Sequence, residues 1–429
     1  MVEIRREACS THEWRSVLRL DASPRRQKAA GGLLVLLIVT PAATMEVVVL
    51  LSALCVVGIS YLISGSRSFD RAARATMLFI VVAGLVTALR AVLFGYPLSG
   101  FLGDFSDWFR FYPVAIGAAC LAPIRRSLDL TAVVAFVAVA NALVALGQLF
   151  APAWFRFIYV AHGTLHHYDS ALLVSSRPAG LFGSPGEHGT AAALLAILFL
   201  SRYLRSAKSL TGIGLGASVV ALIASQSQTS FVAFFAGASA LLFAQWPLLR
   251  NRRRWLAARR TVVVALCAAP LTILFVVSRL RYLVFLFTIG TGRSSYQLRQ
   301  ELWAGLHRDW AANPSAVLLG GGRYGLGRER TSVVDSDLRY LLYIYGLVGI
   351  GLFLGLIGWA IATSRFLIRA EFFAVAVVAV VASWANSFVA DPRILAVSMI
   401  LLLTGVGVRL RPAEPTADDA QVERAALHL

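Results

Sequence analysis

The stretch GGLLVLLIVTPAATMEVVVLLSALCVVGISYLIS, residues 31–64, decides the fold, and Glu46 is its single charged residue. A strand that crosses lipid alternates apolar and polar residues, and this stretch does not. A helix crosses a hydrocarbon core of about 30 Å with about 20 apolar residues. The stretch is too long for one such helix, and Pro41 interrupts its hydrogen-bond ladder. It therefore predicts two closely joined spans, about 30–43 and 45–64.

The same pattern recurs along the chain. Further spans are predicted at about 75–96, 105–123, 130–151, 186–204, 210–225, 229–247, 261–278, 338–363, 366–384 and 393–409, twelve in all. The whole chain of 429 residues is 58% hydrophobic and only 14% charged, which excludes an ordinary soluble domain. Lipid leaves no other partner for backbone amides, so the class is all-α, polytopic and integral to a membrane.

Charge sets the orientation. The net charge of +18 comes chiefly from Arg in short connections. No basic stripe with interleaved aromatics accompanies it, so a nucleic-acid partner is not expected. With the N-terminus inside, the cytoplasmic connections hold Arg67, Arg71 and Arg74; Arg125 and Arg126; Arg202, Arg205 and Lys208; Arg250 to Arg260; and Arg365 and Arg369. Every one is basic, as orientation by positive charge requires. The organisation follows: a basic tail 1–30, spans one to nine over 31–278 with an outward loop 152–185, a large outward loop 279–337, spans ten to twelve over 338–409, and a tail 410–429. Both termini are cytoplasmic on this reading. No CxxC occurs among the four cysteines, so neither a zinc site nor a structural disulfide is expected.

The large outward loop breaks the charge rule, with Arg279, Arg281, Arg293, Arg299, Arg308, Arg323, Arg328 and Arg330. An anionic ligand on that face is the simplest reason, because guanidinium matches phosphate oxygens in pairs. Ser294 with Gln297 forms a capping-box pattern, and Leu298, Leu302, Leu306 and Trp310 follow as a one-sided apolar stripe. The loop thus predicts an amphipathic helix that ends at Asn313-Pro314.

Five constellations could carry chemistry. SSRPAGLFGSPGEHG (175–189) sets Arg177 in a turn before a span, with Glu187 and His188 at the span's start. It reads equally as a plain turn into a helix. TGRSSYQLRQELW (291–303) offers Arg293 and Arg299, or simply a solvated helix start. NPSAVLLGGGRYGLG (313–327) offers Arg323 among glycines that permit positive φ; no Gly-Lys-Ser/Thr follows, so it is not a P-loop. DSDLRYLLYIYGLVG (335–349) puts Asp335 and Asp337 at a membrane face, with Arg339 and Tyr340 just inside. A buried carboxylate there can act as general base, or serve only as a helix cap. HGTLHHYD (162–169) holds three histidines, but its spacing forces no acidic partner, and no metal is assigned.

In their order along the chain these motifs resemble the O-antigen polymerase/ligase superfamily. The likeness covers about residues 175–350 and rests on Arg177-Pro-Ala-Gly-Leu-Phe-Gly, Gly292-Arg293 before a Trp-containing helix, Asn313-Pro314 with its glycines, and Leu-Tyr with Gly346-Leu-Val-Gly349. The resemblance implies a GT-C-like glycosyltransferase of the bacterial inner membrane with its site facing the periplasm. It implies undecaprenyl pyrophosphate-linked glycans as substrates, no cofactor or essential metal, and a flippase and chain-length regulator as partners. Arg177 and Arg293 would hold the pyrophosphate, with Arg299 and Arg323 as further candidates. Ligases of the family carry a His-Asn pair where this chain has Asp335-Ser336. That departure favours a polymerase, with Asp335 as the expected base and Asp337 second. The ligase reaction, a peptidoglycan-type glycosyltransferase and a lipid-linked oligosaccharide flippase remain the alternatives.

Overall fold

The structure is a computed structural model. It describes residues 24–39, 45–64, 66–95, 97–121, 130–174, 176–206, 208–249, 342–352 and 366–383, with parts of 304–322, 354–355 and 393–400. The described residues are mostly helical, and no strand occurs among them. The helices are α1 (Pro24–Val39), α2 (Met45–Ser64), α3 (Ser66–Phe94), α4 (Leu98–Trp108), α5 (Tyr112–Leu121), α6 (Thr131–Phe150) and α7 (Arg156–Ala161). After them come α8 (Pro185–Ser206), α9 (Ser209–Ser225), α10 (Gln228–Leu249), the short α11 (Pro314–Leu319), α12 (Leu342–Leu352) and α13 (Phe366–Ser383).

Among the described residues, two helices are long and apolar enough to cross a membrane, within Asp70–Phe94 of α3 and over the whole of α6. Shorter apolar helices include Val48–Leu62, Ser209–Ser225 and Thr229–Ala244. Large apolar side chains also cover the outside: Val92, Phe136, Leu143 and Phe243 are more than half exposed. So much apolar surface asks for an apolar surrounding.

Helix α8 is the centre. Every side chain from Ala191 to Leu200 is buried, so this helix is apolar all round because protein surrounds it on every side. It packs against α9, α10 and α13, and α9 packs in turn against α6. Small residues set these approaches. Gly214 of α9 lies against the Phe199 ring, and Gly237 of α10 lies against Val378 and the Ala374 carbonyl. Close backbone approach at small residues is how helices gain contact where lipid supplies no hydrophobic drive.

Three expected boundaries shift. The first of the described helices begins at Pro24, a favoured first helical position, and so takes in Arg25, Arg26 and Lys28 of the expected tail. The expected span 75–96 begins nine residues earlier, at Ser66, so Arg67, Arg71 and Arg74 lie on α3 itself. The expected span 105–123 is two helices, α4 and α5, joined by a tight turn at Phe109–Phe111. Pro113 explains the joint: its ring carries no N–H and clashes with the carbonyl four residues back, that of Phe109. In α4 the usual amphipathic order is inverted, since Asp104 and Asp107 are buried while Leu98 and Leu102 face outward.

Polar connections gather at the two ends of α8. Near its C-terminal end the Ser201 hydroxyl donates to Glu371 of α13 (2.8 Å), and Arg202 donates to Thr131 of α6 (3.0 Å). Near its N-terminal end lie residues 176–184, the α9–α10 turn and Arg393. The expected span 261–278 and the helix expected at 294–310, apart from a few positions near its end, lie outside the described residues.

Replacing Gly237 tests the packing. A side chain there meets the Ala374 carbonyl at 3.2 Å, and backbone cannot yield. Gly237→Val is expected to destabilise the bundle by about 1–3 kcal/mol, read as a lower thermal midpoint in detergent. Gly216→Ala, whose added carbon meets nothing within 4 Å, is expected to leave that midpoint unchanged or raise it.

Candidate functional site

The segment Ser176–Phe182 is irregular, yet Pro178, Ala179, Gly180 and Phe182 are buried. Buried irregular backbone requires a hydrogen-bond partner for each amide. Here side chains from several elements supply them. Gln148, near the end of α6, pairs with Gly180 on both sides: its Nε2 donates to the Gly180 carbonyl (3.0 Å), and its Oε1 accepts the Gly180 N–H (2.9 Å). Asn141 lies two turns earlier on the same face, and its Oδ1 accepts the Leu181 N–H (3.0 Å). The Tyr159 hydroxyl of α7 accepts the Ala179 N–H (3.1 Å) and donates to Gln148 Oε1 (3.4 Å). Burial pushes the Tyr159 phenol up to about 12, so it remains a donor at any physiological pH.

The segment's two ends are held as well. Gln226 Nε2 donates to the Ser176 carbonyl (3.0 Å), and Arg393 reaches the Phe182 carbonyl (3.5 Å). Ser176 (φ 52°) and Gln226 (φ 50°) are the only non-glycine residues with positive φ among those described. That two such residues bond to each other is notable, because strained backbone gathers where the surroundings over-determine it. Gly180 (φ 55°) backs directly onto the His188 ring and Asn141 Oδ1, so no side chain fits there.

Arg177 stands at the head of this segment, half-buried, with its N–H donated to the Ala171 carbonyl (2.9 Å). Glu187 and His188 follow at the start of α8. Ser184 is that helix's N-cap: its hydroxyl accepts the Glu187 N–H (3.3 Å), with Pro185 at the first helical position. His188 is fully buried against Gly180 and shapes the back of the turn. Of the expected site residues, Arg177, Glu187 and His188 are thus described: His188 backs onto Gly180 of the turn that Arg177 heads, and Glu187 precedes it on α8. Arg293, Arg299, Arg323, Asp335, Asp337, Arg339 and Tyr340 lie outside the described residues.

The histidine-rich loop divides its members. His162 Nδ1 faces the Arg393 guanidinium at 3.3 Å and accepts from it, since guanidinium only donates. His166 and His167 lie against each other, with ring centres 3.9 Å apart and planes tilted by 44°. No group of three or more metal-ligating side chains occurs among the described residues.

The glycine motif is a pinned turn. Gly321 and Gly322 donate to the Tyr343 and Ile344 carbonyls (2.9 and 3.2 Å). Gly320 and Gly346, both at positive φ, meet back to back, and Gly322 abuts the Asp104 carboxylate. Arg90 of α3 is fully buried, donates Nε to the Leu319 carbonyl (2.6 Å), and lies over the rings of Trp108 and Tyr345 at 5.5 and 6.0 Å.

No family model matches this chain, and no curated protein matches it either. The residues that build the turn, Asn141, Gln148, Tyr159, Gln226 and Arg393, are not among those the motifs offered. One signal was available: Asn141 and Gln148 are the two polar residues deep in an apolar span, seven apart and hence on one helix face.

Gln148→Leu is expected to leave both Gly180 groups buried and unpaired, at about 1–3 kcal/mol each. The measurable result is a lower thermal midpoint and faster proteolysis within 170–184 than in the parent. The contribution of the neutral Tyr159 phenol is fully present below pH 10, the ordinary tyrosine value, and is lost as pH rises toward about 12. A pH series of thermal midpoints should therefore show a loss above pH 10 that Tyr159→Phe lacks.

Proposed function

We propose that this chain is a glycosyltransferase of the O-antigen polymerase/ligase type, on the polymerase branch. It transfers a growing glycan from undecaprenyl pyrophosphate to the next lipid-linked repeat unit. Its twelve spans cross the bacterial inner membrane, with both termini cytoplasmic and the site facing the periplasm.

The observation that carries this reading is the mounting of Arg177. The turn behind it is fixed by α6, α7, the α9–α10 turn and Arg393. A guanidinium on a pre-set backbone costs little to organise, which suits stabilisation of charge that develops only during reaction. The connections that meet there, 152–185 and 226–228, and the start of the last span all lie on the outward side in the alternation set by the basic loops. That agreement supports the orientation.

The chemistry follows from the parts. The acceptor hydroxyl attacks the anomeric carbon of the donor sugar, and its proton passes to a carboxylate, assigned to Asp335 with Asp337 second. The bond to the pyrophosphate breaks, and its electron pair leaves with the lipid. Arg177 and Arg293 hold that diphosphate as its charge grows, with Arg299 and Arg323 toward the same group. Inversion requires donor and acceptor on opposite faces of the sugar.

One observation favours a second reading, a lipid-linked oligosaccharide flippase. Arg90 is a fully buried charge in a helix long and apolar enough to cross a membrane, and transporters keep such charges near mid-membrane. Its engagement with the Leu319 carbonyl and two rings fits a structural clamp better than a moving ligand site.

With reconstituted protein and lipid-pyrophosphate repeat units, longer glycans should form. Arg177→Ala and Arg293→Ala should each lower the rate at least about 100-fold, the range for loss of a charge-stabilising donor. Both should still insert in the membrane. Asp335→Asn should do the same if that carboxylate is the base. Near-normal polymer from both Arg variants rules out the diphosphate model, and lipid movement without new glycosidic bonds establishes the flippase.

A further inference from the structure

A second feature lies apart from the Arg177 turn. Between α3, α5 and α12 runs an apolar cavity of about 660 Å³, with Trp108 toward one end and Leu78, Ala119 and Gly351 in its walls. Its other end carries Arg71 and Arg74, both exposed. They are three residues apart on α3 and so share a face. Neither is joined to a carboxylate among the described residues.

The length of the groove identifies its occupant. Along α3 it reaches from Arg71 to Ala83, twelve residues, or about 18 Å at 1.5 Å each. Half of a hydrocarbon core of about 30 Å is about 15 Å. The groove is therefore one leaflet deep, with cations at its headgroup end and apolar walls beyond. Under the orientation proposed above, Arg71 and Arg74 face the cytoplasm. A lipid diphosphate bound at the Arg177 turn would have its headgroup at the opposite membrane face.

We infer that this groove binds an anionic glycerophospholipid of the cytoplasmic leaflet, with its phosphate on Arg71 and Arg74 and one acyl chain between α3, α5 and α12. The side of the membrane rests on the proposed topology; the pairing of cations with groove does not. The bound lipid completes the α3–α5–α12 contact and couples the bundle's stability to anionic lipid.

The test uses the purified full-length chain in detergent, with phosphatidylglycerol and phosphatidylcholine added in turn. Native mass spectrometry counts retained lipid, and thermal unfolding reads its effect. The parent is expected to retain phosphatidylglycerol preferentially and to gain a higher midpoint from it. Arg71→Gln with Arg74→Gln should weaken phosphatidylglycerol binding about thirtyfold, to the level of phosphatidylcholine. Gly351→Leu, whose backbone has open space beside it, should fill the groove and lose both lipids. Equal retention of the two lipids by the parent, or unchanged selectivity in the double variant, overturns the site. The topology is read separately from Ala73→Cys, labelled by an impermeant thiol reagent above the parent's background. Labelling only in inverted vesicles supports the cytoplasmic leaflet. Labelling from the outside overturns that leaflet assignment and the proposed orientation together, while the lipid-selectivity result still stands or falls by itself.

Discussion

The turn from Ser176 to Phe182 depends on one constraint: no water replaces a missing partner for buried amide groups. In an aqueous loop, the N–H groups of Ala179, Gly180 and Leu181 would need nothing from the protein. Buried between helices, they take Tyr159, Gln148 and Asn141 as partners. Non-helical backbone survives at such depth only when protein satisfies it. The polar residues of α6 are therefore placed by the turn's needs, and the turn is immobilised by theirs. Neither could change alone without leaving a buried group unpaired.

The same constraint explains why polar side chains gather at the two ends of α8. Its middle, Ala191 to Leu200, has no polar atom to offer beyond its own helical backbone, and it contacts apolar neighbours on all sides. Hydrogen bonds between helices then concentrate where side chains of adjacent segments can meet: Ser201 with Glu371 and Arg202 with Thr131 at one end, the Arg177 turn with Gln226 and Arg393 at the other. The middle supplies apolar contact, and the ends supply register and specificity. Arg90, Asp104 and Asp107 are buried away from those ends, and Arg90 lies against a carbonyl and two aromatic faces instead of solvent.

How much of this was legible follows from what each signal measures. Apolar run length reports helices well, and expected spans such as 45–64, 130–151 and 366–384 agree closely with Met45–Ser64, Thr131–Phe150 and Phe366–Ser383. It fails at α4, where a helix buries Asp104 and Asp107 and shows leucines outward, because run length cannot see which face is inside. The arginine of the turn was legible from its company of proline and glycines. The scaffold behind it was not, because Gln148, Gln226 and Arg393 are distant in sequence and each is unremarkable alone. Only the spacing of Asn141 and Gln148 carried the information, and its meaning shows only once the Gly180 and Leu181 amides are seen against them. His162 stands in sequence among a histidine trio, whereas in the fold it meets the distant Arg393.

Arg393 brings these strands together. It is nearly fully buried, lies at the start of the last expected span, and reaches both His162 and the Phe182 carbonyl. A buried cation near the far end of the chain thus helps to fix the turn that opens the central helix. The arrangement makes Arg177's position depend on the folding of segments more than 200 residues away. A guanidinium that spends its hydrogen bonds on backbone still contributes its positive potential, and in apolar surroundings that potential reaches further than it does in water. Arg393 therefore holds the turn through the Phe182 carbonyl and through His162, and it places a buried positive charge beside Phe182. This gives a physical reason for arginine at 393, where a neutral donor could have served the carbonyl alone.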